Sequence, residues 1–131
     1  MNGSLKAVID TNVIFMALYN PLSKAGRVIK VANKNKIELF STDSVKEEIA
    51  RVLKKELSFS DKEIASLIKS LPIELIGREI YEKALIKTKA RHKADKPVEA
   101  LSLILNCKVI SADKHFENRI DINKLLEELG E

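Results

Sequence analysis

The chain has 131 residues, 45% of them apolar and 32% charged, with a formal net charge of +4. That is the length of one ordinary domain, 1–131, with enough apolar material to close a core; it excludes a disordered charged tail and a membrane span, because no apolar run nears the ~20 residues one needs. The single cysteine, Cys107, excludes a disulfide within the chain, and its apolar neighbourhood predicts a buried, inert thiol.

Leu5-Lys6-Ala7-Val8-Ile9 reads as a short buried strand that ends at Asp10. It is too short for a signal peptide, so a soluble, cytoplasmic protein is expected. Leu22 to Asn33 has helical spacing, with Val28, Ile29 and Ala32 apolar. Ile37 to Phe40 is the next strand, and Ser44 to Leu53 and Ser60 to Leu71 are helices. Pro72 opens a strand, Ile73 to Ile76, and Gly77 closes it. Ile80 to Thr88 is helical, and Asp95 to Asn106 is a strongly apolar helix. Lys108 to Ser111 is a strand, Asp113 to Glu117 a short turn or helix, and Ile122 to Leu129 a final helix. Strands alternating with helices predict an α/β fold, a parallel sheet covered on both faces.

Sites in such folds form at the carboxyl ends of the strands. Asp10 stands at one such end, and Asp113 lies two residues past Ser111, the end of another. Asp95 opens the helix that leads into that strand. Glu48 is the fourth acid: it borders the apolar stripe Val45, Ile49, Val52 and Leu53, so its carboxylate is expected to turn inward. Its neighbour Glu47 is three residues after Ser44 and four before Arg51, which predicts a capping box and a surface ion pair.

Each acid also has a plain structural use. Asp10 and Asp95 suit helix caps, the latter just before Lys96-Pro97. Asp113 suits a turn, and Glu48 could reach solvent along its own stem. Glu99 shares a helix face with Asp95; it is a fifth candidate acid or an ordinary first-turn glutamate. Together the plain uses lose ground. Clustered carboxylates repel one another and are neutralised by a hard cation such as Mg²⁺ or Mn²⁺.

Val8-Ile9-Asp10-Thr11-Asn12-Val13 resembles the opening motif of PIN domains. Val45-Lys46-Glu47-Glu48-Ile49-Ala50-Arg51-Val52-Leu53 resembles their second motif, in which the acid before the aliphatic residue, here Glu48, is the site glutamate. Asp95 with the apolar helix after Ala100 resembles the third, and Ile110-Ser111-Ala112-Asp113-Lys114-His115-Phe116 the fourth. The ordered set spans nearly the whole chain. Two details depart from the usual pattern: Ser111 stands where threonine is common, and Lys96-Pro97 follows Asp95.

The resemblance implies a three-layer α/β/α fold, metal-dependent cleavage of single-stranded RNA, and often a homodimer. It also implies a role as the toxin of a toxin–antitoxin pair, with an antitoxin protein as partner, or in RNA processing. By position, Asp10, Glu48, Asp95 and Asp113 would bind the metal and carry the catalysis, while Asn12 or Ser111 would orient ligands or phosphate. Apart from the resemblance, the basic stretch Lys87, Lys89, Arg91 and Lys93 leading into Asp95 is either a solvated loop or a contact for RNA phosphates, the latter in keeping with a pI of about 9.1.

Other chemistries fit less well. A haloacid-dehalogenase-like phosphatase wants an Asp where Asn12 stands. A response-regulator receiver wants an isolated Asp ending a middle strand, and Leu39-Phe40-Ser41 does not supply it. His92 and His115 lack zinc-ligand spacing, and neither a Ser-His-Asp set nor a glycine-rich phosphate loop is visible. The remaining rival is a catalytically silent PIN fold that binds RNA or a protein partner.

Overall fold

The computed structural model describes residues 5–90, 93–113 and 116–131. Five strands form one parallel sheet: β1 (Leu5–Ile9), β2 (Ile37–Thr42), β3 (Ile73–Ile76), β4 (Lys108–Ile110) and β5 (Arg119–Ile120). Their order is β3-β2-β1-β4-β5. The chain first builds outward from β1 through β2 to β3, then returns to the other side of β1 for β4. The reversal lies between β1 and β4, and their carboxyl ends flank the crevice where such folds place ligands.

Alternation along the strands supplies two cores. Ala7, Ile9, Ile37, Leu39 and Ile110 face one side, where they pack with α1 (Thr11–Tyr19), α2 (Lys24–Asn33), α3 (Ser44–Leu57), α4 (Asp61–Ser70) and α7 (Ile122–Glu128). Val8 and Val109 face the other side. They meet Tyr81 of α5 (Arg78–Tyr81), Ala84 of the 3-10 segment Glu82–Lys87, and Val98 and Leu101 of α6 (Lys96–Leu105). The result is the expected three-layer α/β/α sandwich. β1 is buried from both sides, so Ala7 to Ile9 read as a continuous apolar run rather than an alternating one.

Several bounds differ from the reading of the sequence. α1 was not anticipated, because Val13 to Leu18 is apolar all round and shows no helical period. α2 starts at Lys24 rather than Leu22, after the N-cap Ser23, whose hydroxyl accepts from the Gly26 amide. Gly26 is needed there: a Cβ would lie 2.1 Å from the Pro21 carbonyl oxygen. The helix expected at Ile80 begins at Arg78 and tightens into the 3-10 segment. β5 is two residues long, too short to leave a pattern. Between Asp113 and Glu117, residues 114 and 115 lie outside the described residues.

Candidate active site at the reversal point of the sheet

Asp10 follows β1 directly and is 7% exposed. Its amide donates to the Ile110 carbonyl of β4 at 3.0 Å, which continues the β1–β4 ladder past the strand end. Its side chain does two things. Oδ1 accepts from the Thr11 amide at 2.8 Å, capping α1, and Oδ2 accepts from the Ser111 hydroxyl at 2.8 Å. The cap reading of Asp10 therefore holds, and one carboxylate oxygen is left to Ser111.

Ser111 is fully buried at the end of β4. Its hydroxyl also accepts from the Asp113 amide at 3.0 Å, which folds the chain so that Asp113 returns toward Asp10. On the other side, buried Ser41 donates from its hydroxyl to the Ile9 carbonyl at 2.9 Å and fixes the residue before Asp10. Burial pushes the Asp10 carboxyl above its ordinary range. The bonds from Ser111 and Thr11 oppose that, and the charges of Asp95 and Asp113 add to it. Asp95 and Asp113 are thus each close enough to act on Asp10.

Asp95 ends a one-turn 3-10 segment, Lys93–Asp95, and precedes α6. It occupies the N-cap position in helical geometry, and its side chain makes no capping bond. The expected cap is therefore not formed, because a capping side chain needs the extended backbone that Asp10 has and Asp95 lacks.

Residues 8–125 match the family model described as the PIN domain. The chain belongs to the PIN-domain family. Its fold is accordingly of the nuclease type, and PIN domains are generally nucleases that typically use divalent metals. No curated protein matches the chain.

In this PIN domain Glu48 departs from expectation. It lies on α3 beside the buried stripe Val45, Ile49 and Leu53, yet it is exposed, as is Glu47. It does not appear among the charges acting on Asp10. A long side chain at the border of a stripe reaches solvent rather than the interior. The capping box expected for Glu47 is also absent. The N-cap of α3 is Asp43, with no side-chain capping bond, and Ser44 shares a hydrogen bond with Thr42 at 2.8 Å. Among the described residues Glu47 makes no ion pair with Arg51.

Glu99 has a definite job. Its carboxylate accepts from the Lys89 amide at 3.0 Å and the Ala90 amide at 2.8 Å. It anchors the basic stretch to α6 through these backbone bonds. Lys87, Lys89 and Lys93 are exposed, and Lys89 lies 3.7 Å from Glu117; Arg91 is outside the described residues. Asn12, in the first turn of α1, is exposed, and its side chain makes no hydrogen bond among the described residues.

Two residues escaped the reading of the sequence. Ser41 had a faint signal, a hydroxyl at the carboxyl end of the strand beside Asp10. Arg119 had none. Its Nε donates to the Ser111 carbonyl at 2.7 Å, and its Nη2 lies 3.6 Å from Asp121.

A larger cavity, about 610 Å³, lies at the opposite, amino end of the strands, between Lys6, Cys107 and Lys124. None of Asp10, Asp95 and Asp113 lines it. Cys107 is half-buried there rather than buried as expected, and desolvation raises its thiol pKa. Among the described residues no helix is long and apolar enough to cross a membrane.

Proposed function

We propose that this PIN domain is an endoribonuclease that hydrolyses single-stranded RNA with Mg²⁺ or Mn²⁺, using Asp10, Asp95 and Asp113 as the facing carboxylates and Glu48 as a fourth from the rim of α3. The observation that carries this reading is Asp10 itself. A buried carboxyl at the reversal point of a parallel sheet, pressed by two further carboxylates, is costly unless a cation joins it.

The donor set fits such an ion, since every candidate ligand is an oxygen. Among the described residues no group of three or more His, Cys, Asp or Glu side chains could by itself hold a metal ion. The cation in this reading keeps waters and binds through one or two carboxylates and substrate phosphate, as Mg²⁺ does. When bound, such an ion supplies a nucleophile at neutral pH and stabilises the oxygens of an in-line displacement.

The chain's own residues set the geometry. Ser111 and the Thr11 amide hold the two Asp10 oxygens in place and favour their ionised form. The Ser111 hydroxyl holds the Asp113 backbone in the same stroke. Asn12 stands at the rim as an orienting group for phosphate. Lys87, Lys89, Arg91 and Lys93 supply the screened attraction that brings RNA to the rim. The same reading extends to a cytoplasmic homodimer that serves as a toxin held by an antitoxin or as an RNA-processing enzyme.

The test is cleavage of end-labelled single-stranded RNA. Products should form with Mg²⁺ or Mn²⁺ and vanish with EDTA. Intact RNA with every divalent ion, alongside unimpaired RNA binding, would instead favour the silent binding module.

A further inference from the structure

We infer that a second cavity, about 360 Å³, beside the acid rim is a subsite for one nucleotide of the RNA, the neighbour of the phosphate that is cut; this rests on the nuclease reading above. Its lining includes Met16, Lys24, Ser111, Arg119, Ile122 and Asn123, together with the Asp121 carboxylate that faces Arg119. Ser111 belongs to both places. Its hydroxyl holds Asp10, and its carbonyl accepts from Arg119. The cavity and the rim therefore adjoin through Ser111, as neighbouring sites on one strand must.

The lining has the chemistry of a nucleotide. Arg119 uses Nε on Ser111 and faces Asp121 at 3.6 Å, with its side chain 21% exposed, and it retains N–H donors for an anion. Lys24 is exposed, and its side chain forms no ion pair or hydrogen bond among the described residues. It is also the first residue of α2, so the positive end of a ten-residue helix adds to its charge. Those two cations suit a phosphate. Met16 and Ile122 provide apolar surface for a base, and methionine adapts its shape to several partners. Exposed Asn123 carries both a donor and an acceptor for a base edge. Single-stranded RNA offers unstacked bases to such pockets, and the volume is in the range of small-ligand sites.

Methionine gives the probe. The chain has two methionines, Met1 and Met16, so methyl-labelled protein shows two signals, and Met16→Leu assigns the second. Titration with the four nucleoside 5′-monophosphates, without divalent metal, should shift the Met16 methyl saturably at millimolar concentration for at least one base. Lys24→Ala and Arg119→Gln should weaken that binding about fivefold or more, and Arg119→Lys should recover part of it. On RNA, Asn123→Ala should raise KM severalfold with kcat unchanged. A Met16 signal that no nucleotide moves overturns the subsite, and so does one that inorganic phosphate moves equally. Cleavage with an unmoved signal removes the subsite alone. A shifted signal with no cleavage by the metal-loaded protein keeps the nucleotide pocket and removes the nuclease reading.

Discussion

The Ser111 hydroxyl donates to Asp10 Oδ2 across 2.8 Å, joining residues 101 positions apart. The same oxygen accepts from the Asp113 amide. One buried hydroxyl thus ties the ends of β1 and β4 to the loop that carries the second acid. Ser111→Ala should remove the bonds of that hydroxyl to the Asp113 amide and to one Asp10 oxygen. Stability should fall by about 1–3 kcal/mol, and divalent affinity by about 10–100-fold, the usual loss when a partner of a metal ligand is removed. Ser111→Thr keeps the hydroxyl and should retain most of both. Urea unfolding and calorimetry with Mg²⁺ measure the pair of effects.

The metal-free protein should lose stability as pH rises. Asp10 has a carboxyl pKa raised in the folded chain above its ordinary 3.8. Between those two values the folded state holds more protons than the unfolded state, so the contribution of Asp10 is fully present below the ordinary value and is lost as pH rises through the folded one. Asp10→Asn should flatten that part of the profile. Denaturation from pH 3 to pH 7 in EDTA shows it, and an unchanged slope in the variant would remove Asp10 as the source.

Glu99→Ala should release the basic stretch. Loss of its bonds to the Lys89 and Ala90 amides should cost about 2 kcal/mol, as expected for hydrogen bonds to a charged group. Hydrogen exchange at those amides should speed up, while Mg²⁺ affinity should stay near that of the parent. Loss of metal binding along with the loop would make Glu99 a rim acid instead of an anchor.

Glu47 and Glu48 are both exposed, so replacing either by Gln should move stability by less than about 0.5 kcal/mol. Their activities should still part. Glu48→Gln should lower cleavage at least about tenfold, as losing a ligand or its neighbour does, and Glu47→Gln should not. Equal rates in the two variants would take Glu48 out of the site.

What the sequence shows and what it hides follow from range. The buried run at Val8 and Ile9, the stripe on α3 and the apolar α6 are local patterns with one period each, and they lead to the three layers directly. The placement of Asp10 needs only the rule that strand ends carry sites. Helix α1 is apolar on all sides and so has no period to read. The capping predictions for Asp95 and Glu47 depend on backbone angles, which neighbouring packing decides: Asp95 ends a 3-10 turn, and Ser44 bonds to Thr42 instead. Arg119 matters only because β5 returns beside β4, a contact between segments with no common motif. The exposure of Glu48 has the same origin, since the stripe says which side of α3 is buried and not how far a long side chain reaches.

The central claim is that the acids around Asp10 bind a divalent ion in order to cut RNA. Cleavage of single-stranded RNA and calorimetric Mg²⁺ or Mn²⁺ binding should be measured together on the parent, Asp10→Asn and Asp95→Asn. The account predicts divalent binding and EDTA-sensitive cleavage in the parent, with both reduced at least about tenfold in each folded variant. Cleavage that persists in EDTA, or at the parent's rate in Asp10→Asn, would contradict it.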